Sequence, residues 1–267
     1  VGEMENKGIE FLINANVLRN KDFSWDVRFT GTANKNKIIK LATEKPIENT
    51  LTIRKVGEAY NTFYMPEYAG VDPETGEAMW YKGQEGDEKT KNVNEAGQRI
   101  VGSADPKFYG GFSTDFSYKG VTLNAVFNYS CGGKKLSPYY ESLITSRGTG
   151  IASIDLLDRW TPENTDAKFP RPIYNDPTDT ETMYYNTFSA SQMDFSVQNA
   201  SFLRLSTLSL SYTFPKSVSE KMRIGNLRIY STVSNVFCLT PYKGYDPETG
   251  DWYPPTRMFV FGLNVSL

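Results

Sequence analysis

Histidine is absent from the 267 residues of this chain. A serine or cysteine triad with an imidazole base is therefore excluded, as are most catalytic zinc sites. The chain also lacks a glycine-rich dinucleotide loop before a helix, a phosphate-binding loop and a CxxC motif, so no cofactor is indicated. The residue types present give little support to catalysis, and we expect no enzyme.

The chain has little net charge and no long apolar run. Its 29 basic and 31 acidic residues leave a formal charge of -2, so neither nucleic acid nor an anionic lipid surface is indicated as a partner. The mean hydropathy is -0.47, and the absence of any apolar run of roughly 18 residues excludes helical membrane spans. A membrane β-barrel stays compatible, because its strands alternate apolar and polar residues.

Only two cysteines are present, Cys131 and Cys238. They allow a disulfide, two free thiols or two small buried apolar side chains, so they fix no redox compartment. The first residues, VGEMENKGIEF, lack the basic and apolar segments of a signal peptide. We therefore expect either a cytoplasmic protein or a chain that begins inside a longer one.

Aromatic residues and alternating segments are abundant instead. The chain has 17 Tyr, 16 Phe and 4 Trp, which suits a β-rich protein with aromatic belts or a sugar-binding surface. Alternation of apolar and polar residues predicts strands with period two. Near Ser206 the apolar face switches, which indicates a β-bulge or a stretch buried on both sides. The predicted strands are 8–18, 22–33, 107–118, 120–130, 201–214, 225–237 and 259–267.

The predicted links between strands fall into two classes, short and long. In an up-and-down antiparallel order, all short links lie at one end of the strands and all long insertions at the other. This asymmetry is typical of outer-membrane barrels, which have short periplasmic turns and long outer loops. Strands of about eleven residues also match a tilted membrane crossing. The short links are 19–21, 119–120 and 215–225, and the long insertions are 34–106, 131–200 and 239–256.

Seven strands are too few to close a membrane barrel of the usual size, which needs at least about eight. We therefore interpret the chain as an antiparallel transmembrane segment of a larger barrel. Its final strand, apolar from Phe259 to Leu267 at alternate positions, would close that barrel, and the strand near Ile9 would be equally unpaired. The aromatic content and even strand spacing leave one alternative open, a secreted carbohydrate-binding β-sandwich.

A ten-residue segment occurs twice, as YAGVDPETGE at 68–77 and as YKGYDPETGD at 242–251. Asp, Pro and Gly at these positions predict a type I turn with a left-handed exit, so each copy is expected to be a hairpin tip. Calcium binding by Asp72, Glu74, Asp246 and Glu248 is the functional alternative. The turn interpretation is favoured, because too few oxygen ligands are clustered to fill six to eight positions.

Carboxylate pairs in the loops, for example Asp155 and Asp158, could serve a glycosidase. Ile154, Leu157 and Asp158 have helical spacing, however. We therefore favour a short loop helix with a solvated acidic face over a catalytic pair.

Several sequence segments, in the same order along the chain, resemble one family. They spread over essentially the whole chain, and the match is specific. The chain resembles the C-terminal barrel half of SusC/RagA-type TonB-dependent transporters. The matching segments are VGEMENKGIE (1–10), KDFSWD (21–26), NKNK (34–37), EYAGVDPETG (67–76), VGSADPKFYGG (101–111), DRWTPENTD (158–166), FPRP (169–172), SFLRL (201–205) and YKGYDP (242–247).

This resemblance implies an outer-membrane barrel of about 22 strands from Bacteroidota, of which residues 1–267 form roughly the last third. It implies TonB-dependent uptake of oligosaccharides or peptides, long extracellular loops, and a SusD-like surface lipoprotein as partner. The plug domain and TonB box would lie outside this chain. One departure from the family pattern is Leu267, which stands where outer-membrane barrels commonly end on an aromatic residue.

Aromatic residues in the outer loops are the candidate substrate contacts, because their faces stack on sugar rings or peptide side chains. The alternative is that each packs its own loop or meets the lipoprotein. Aromatic residues on the strands, such as Phe23, Trp25, Phe259 and Phe261, are interpreted as lipid-facing or girdle residues. The candidate substrate contacts are Trp80, Tyr81, Tyr139, Tyr140, Trp160, Trp252 and Tyr253.

Overall fold

The structure is a computed structural model that describes residues 2–43, 45–145, 151–171, 194–250 and 253–266. Within these ranges no helix is both long enough and apolar enough to cross a membrane. The strands are β1 (Glu3–Arg19), β2 (Phe23–Lys40), β3 (Ile47–Glu48), β4 (Thr52–Arg54), β5 (Thr62–Pro66), β6 (Tyr68–Val71), β7 (Ala78–Tyr81), β8 (Lys89–Thr90), β9 (Gln98–Ser103), β10 (Phe108–Tyr118), β11 (Val121–Cys131), β12 (Lys134–Leu136), β13 (Val197–Asn199), β14 (Phe202–Thr213), β15 (Asn226–Leu239) and β16 (Met258–Ser266). The helices are α1 (Pro138–Ile144) and α2 (Lys216–Lys221), with 3-10 turns at Val93–Glu95, Ile154–Leu157 and Asp194–Ser196.

Seven long strands form one antiparallel sheet in the order β1-β2-β10-β11-β14-β15-β16. These are the strands predicted from alternation, and each pairs with the next long strand along the chain. The first two are longer than predicted, because the ladder continues through pairs such as Lys7 with Lys35 and Met4 with Ile38. Residues 3–7 and 34–37 are mostly polar on both faces, so hydrophobic alternation could not reveal this extension.

One face of the sheet is apolar across its full width. The register sets Ile13, Phe29, Phe112, Phe127, Leu205 and Phe237 in a single row across six strands. This face is open: Ile9 is 73% exposed and Phe261 is 78% exposed. A β-sandwich would cover such a face with a second sheet, so the structure argues against the sandwich alternative.

The opposite face is polar along the same strands. One row crosses the whole sheet from Asn16 through Asp26, Asp115, Asn124, Ser209 and Thr232 to Val260. Side chains bond along this row, since Asn124 donates to Asp115 at 2.7 Å and Ser209 lies 2.9 Å from Thr232. A sheet with one open apolar face and one hydrogen-bonded polar face has the pattern of a membrane barrel wall.

A β-bulge lies at Ser206, as the switch of faces indicated. The register of β14 shifts between Leu205 and Thr207 against β15. On the β15 side, Asn235 adopts a left-handed φ of +52°. The bulge lets β14 present Arg204 on the polar face below the loops and still keep Leu208 on the apolar face.

The prediction that short and long connections lie at opposite ends of the strands is confirmed. Short connections at 20–22, 119–120 and 214–225 lie at one end of the sheet, the last of them containing α2. Long connections at 41–107, 132–201 and 240–257 lie at the other. We call this second end the loop end.

The buried side chains lie mainly in the loops. Three small sheets form there, β3-β4-β5-β9, β6-β7-β8 and β12-β13. The apolar clusters are small, and one of them joins two long connections, since Phe63 and Met65 pack against Val197. The loop end is therefore a folded layer with its own packing.

The two cysteines are free thiols. Cys131 ends β11 opposite Phe108, whereas Cys238 lies in β15 opposite Arg204. The disulfide alternative is not realised, because the register holds the two residues on non-adjacent strands.

Candidate functional site

A cavity of about 520 Å³ lies on the polar face at the loop end of the sheet. Its volume is within the range of small-molecule sites. Its wall comes from four neighbouring strands and its upper side from the last long loop. The polar and aromatic side chains of its lining include Asn34, Asp105, Tyr109, Asn128, Phe202 and Glu248.

Sheet register brings these residues together. Ser130 of β11 pairs with Tyr109 on one side and with Phe202 on the other, so the two rings flank one hydroxyl. Asn128 lies two residues below Ser130 on the same face and pairs with Arg204. Since successive side chains on a strand alternate, all of these project from the polar face.

Two amides of the cavity are free to bind a ligand. Within the described part of the chain, the side chains of Asn34 and Asn128 make no hydrogen bond, although both line the cavity. Asn36 differs, because it donates to Asn6 at 2.8 Å and accepts from the Tyr60 amide at 2.7 Å. A free amide offers two donors and an acceptor.

Arg204 fixes the upper side of the cavity. Its Nη2 lies 2.5 Å from Asp246 Oδ2, its Nε donates to Glu248 at 2.6 Å, and its Nη1 donates to Asn235 at 2.6 Å. Burial acts to raise the pKa of the Asp246 carboxyl, but hydrogen bonds from Arg204 and from the turn amides outweigh it, and the pKa is lowered. The loop above the cavity is thus tied to the sheet by charged bonds.

Both copies of the repeated segment form the expected turn. In each, the Asp carboxylate accepts from the amide two residues on, at 2.8 Å for Asp72 and 2.9 Å for Asp246. The closing glycines have φ of +74° at Gly76 and +77° at Gly250. The first copy is a hairpin tip between β6 and β7, as predicted, and the second closes through a single bridge from Asp246 to Gly250.

The acidic residues of the first copy bind a lysine. Lys91 Nζ lies 2.5 Å from Asp72 and 2.6 Å from Glu77. The hydrogen bond from Lys91, with help from the Glu74 amide, lowers the pKa of Asp72 to about 2. Within the described ranges, no group of three or more acidic or cysteine side chains is placed to hold a metal ion.

Helix α1 docks on the loop that carries the second copy. Tyr139 stacks on Tyr245 with ring centroids 4.2 Å apart. Asp155 accepts from Tyr140 at 2.6 Å and pairs with Lys243 at 2.5 Å, and these two bonds lower the pKa of the Asp155 carboxyl. Two long loops are therefore joined into one layer beside the cavity.

The loop helix at Ile154–Leu157 is present as a 3-10 turn. The expected solvated acidic face is wrong for Asp155, because this carboxylate is held by Tyr140 and Lys243. The exposed side chains are instead Ile154 and Leu157. Asp155 is thus bound by its neighbours and does not form an open pair with Asp158.

The predicted substrate contacts differ in their surroundings. Trp80 is 2% exposed and packs with Ala78 and Val93. Tyr140 is equally buried beneath Lys243. Trp160 donates to the Pro73 carbonyl at 3.0 Å and covers Gly76.

The remaining candidates are more accessible. Tyr81 lies beneath the Arg99 guanidinium at 4.5 Å, and the Tyr139 ring is partly exposed. Tyr253 is 83% exposed. Trp252 lies outside the described residues.

The strand aromatics follow the apolar face. Phe259 and Phe261 are exposed on it. Trp25 stacks on Phe116 at 5.3 Å and donates its indole N–H to Thr114 at 2.9 Å, while Phe23 lies 6.4 Å from the same ring. The register places all four on the open apolar face of the sheet.

Sequence reasoning did not single out the cavity. Alternation puts Asn128 and Phe202 on polar faces, but only the strand register shows that they are neighbours. Glu248, a residue of the calcium alternative, pairs with Arg204 in the structure. The sequence feature that could have indicated the cavity is the cluster of Asn and aromatic residues where the strands meet the long insertions.

A single sheet of neighbouring strands, one open apolar face and all long loops at one end together define a wall segment of a membrane β-barrel. No model of a known protein family matches the chain. It is 30% identical to TonB-dependent receptor P3 of Formosa agariphila over 99% of its length, and 28% identical to TonB-dependent receptor SusC of Bacteroides thetaiotaomicron over 99%. These matches cover 29% and 26% of the two receptors.

Solved structures agree with these relatives. The chain is similar to the RagAB peptide transporter with a TM-score of 0.82 and 29% identity, covering 99% of this chain and 29% of that one. For the RagAB peptide importer in the open-open state, the TM-score is 0.82 with 32% identity, covering 100% of this chain and 29% of that one. Nearly the whole chain matches these relatives, which supports its resemblance to SusC/RagA-type TonB-dependent transporters, and it spans less than a third of their length. The relatives are named as receptors and transporters rather than as enzymes.

Proposed function

We propose that this chain supplies part of the barrel wall and outer loops of an outer-membrane transporter that takes up nutrients with energy from TonB. The observation that carries the proposal is the sheet itself, with its open apolar face and its loops gathered at one end. Its likeness to the RagAB structures, with a TM-score of 0.82, supports it. The cargo class is oligosaccharide or peptide, and the segment has no catalytic role.

In this proposal the two faces have separate tasks. The apolar face, with Ile9 and Phe261 exposed, contacts outer-membrane lipid. The polar face, with Asp26 and Asn124, lines the barrel interior. Residues 1–267 form the C-terminal portion of the barrel domain, and the plug domain belongs to a part of the protein outside this chain.

The partners follow from the same assignment. A SusD-like surface lipoprotein would cover the loop end, and TonB would act through the region outside this chain. The names of the relatives, SusC and RagAB, support a two-component system. Among the loop aromatics, Tyr81, Tyr139 and Tyr253, together with Trp252, are proposed to meet cargo or lipoprotein, whereas Trp80, Tyr140 and Trp160 hold the loops together.

Deletion of the gene tests the proposed function. The deletion strain is grown on single oligosaccharide or peptide sources, beside a strain that lacks TonB and a strain complemented with the complete gene. We expect both mutants to lose growth on the same source and the complemented strain to regain it. Normal growth of the deletion strain on every source, or recovery of the protein in the soluble fraction, would contradict the proposal.

A further inference from the structure

We infer that the cavity beneath the Asp246–Gly250 turn binds an uncharged oligosaccharide, rather than an acidic glycan or a peptide that is held by its C-terminal carboxylate. This inference rests on the proposed function, since it names the cargo class of the same barrel segment. It is carried by three features of the described lining, which are free amides, accessible rings and, among the residues that the structure describes, no available cation.

The free amides match the hydrogen-bonding chemistry of sugars. Each sugar hydroxyl both donates and accepts, and the side chains of Asn34 and Asn128 offer both functions with no partner within the described residues. Ser130 adds a hydroxyl between them and the aromatic residues. Groups that lie unpaired at a cavity wall gain most from a ligand that satisfies them.

The rings are placed to stack on sugar faces. Tyr109 and Phe202 flank Ser130 in register, so they stand two strands apart, roughly 10 Å. Tyr109 is exposed and Phe202 partly so. A pyranose has C–H groups on its faces and hydroxyls at its edges. Flat aromatic rings next to amide groups therefore complement it, because the rings stack on the faces and the amides bond to the hydroxyls.

The charge of the described lining disfavours anionic ligands. Among the described residues that line the cavity there is no lysine or arginine, whereas Asp105 and Glu248 are present. Arg204 is close, but all three of its nitrogens are used, by Asp246, Glu248 and Asn235. A uronic acid or the carboxylate at a peptide C-terminus would therefore meet two acidic side chains and no free cation.

The test uses the complete protein, purified from outer membranes in detergent. It is applied to an array that carries neutral hexose oligosaccharides, uronic acid oligosaccharides and a library of short peptides. We expect binding only to neutral oligosaccharides. Asn128→Ala should weaken it roughly three- to tenfold, which is the effect of one lost neutral hydrogen bond, and Phe202→Ala should weaken it at least as much.

Asn14→Ala is the matched control, because Asn14 lies on the same polar face at the level of Arg28 and away from the cavity. It should leave binding unchanged. Since the Asn128 side chain makes no hydrogen bond in the described structure, its variant should fold, and the yield of detergent-extracted barrel checks this. Binding of peptide or uronic acid that Asn128→Ala weakens would overturn the inference, as would neutral binding that neither variant changes, or no neutral binding at all.

The inference and the proposed function fail in different ways. Growth on peptides that requires both this gene and TonB would leave the transport proposal standing and overturn the inference. Neutral oligosaccharide binding that responds to Asn128→Ala, without any TonB-dependent growth defect, would support the inference and contradict transport.

Discussion

Arg204 in the sheet and Asp246 in the last long loop form a nearly buried ion pair, with side chains 7% and 5% exposed and 2.5 Å between Nη2 and Oδ2. The pair joins the barrel wall to the turn above the cavity. Because both charges are removed from water, each depends on the other for its stability. The loop is therefore held in one position by a charge that the wall supplies.

Arg204→Met should release this loop. Removing one partner of a buried pair leaves the other charge uncompensated and costs about 3 kcal/mol or more. We expect faster hydrogen exchange across residues 242–250, with the exchange of the seven long strands unchanged. Arg228→Met, which removes a guanidinium that donates to Ser211 on the same polar face, is the control and should leave the loop protected. Equal protection of residues 242–250 from exchange in both variants would show that the Arg204–Asp246 pair does not hold the loop.

The two repeated turns should respond differently to the same substitution. Gly76→Ala and Gly250→Ala both place a side chain in the left-handed region, at a cost of about 1 kcal/mol. At Gly76 the new Cβ would also lie 2.6 Å from the Trp160 ring, whereas at Gly250 the nearest atom is Lys135 Cε at 3.6 Å. Protease cleavage of the altered loop should therefore rise more in Gly76→Ala. Equal cleavage in the two variants would show that Trp160 does not cover Gly76.

Docking of α1 should weaken as the pH rises. Burial raises the pKa of the Glu141 carboxyl from 4.5 to about 7. The stabilisation from its neutral form is full below about pH 4.5 and is lost as the pH rises through about 7. Hydrogen exchange of residues 138–145, corrected for the intrinsic rate, should therefore be faster at pH 8 than at pH 5. Glu141→Gln should remove this difference and Glu163→Gln should not. A pH response that persists in Glu141→Gln would contradict the assignment.

Two glycines of the sheet should differ in their tolerance of a methyl group. A Cβ at Gly110 would overlap the Thr30 carbonyl of the neighbouring backbone, whereas a Cβ at Gly31 would meet the tips of the Phe11 and Phe108 rings. A backbone cannot move aside as a ring can, so we expect Gly110→Ala to reduce the amount of folded barrel far more than Gly31→Ala. Heat-modifiable migration on gels measures this.

Adding Phe11→Ala to Gly31→Ala tests the reason for the difference. Removal of the ring makes room for the new methyl group, so the double variant should lose less folded barrel than the sum of the single losses predicts. Additive losses would show that the Phe11 ring does not cause the clash.

Much of the fold could be predicted from the sequence because barrel strands alternate apolar and polar residues with a period of two. The row from Ile13 to Phe237 consists of residues that alternate visibly along each strand, and the loop lengths set the direction of the strands. The ends of β1 and β2 were not readable, because Lys7 and Lys35 pair in a polar stretch where no face is apolar.

The candidate site was less readable for a physical reason. Its residues are brought together by the register of four strands. The ion pair of Arg204 with Asp246, which lies more than 40 residues later in the chain, adds the loop. Neither the strand register nor an ion pair between residues so far apart produces a pattern of neighbouring residues in the sequence. The sequence did identify the repeated turns, whose Asp, Pro and Gly act within a few residues.

The central claim is that one face of this sheet meets lipid and the other the barrel interior. Spin labels at Phe261 and Asn264, on opposite faces of β16, test it in the complete protein without other cysteines. In lipid bilayers, we expect the label at 261 to be relaxed by oxygen, which concentrates in lipid, and the label at 264 by a water-soluble nickel chelate. Equal accessibility of both labels to the two reagents, or the reverse pattern, would contradict the account.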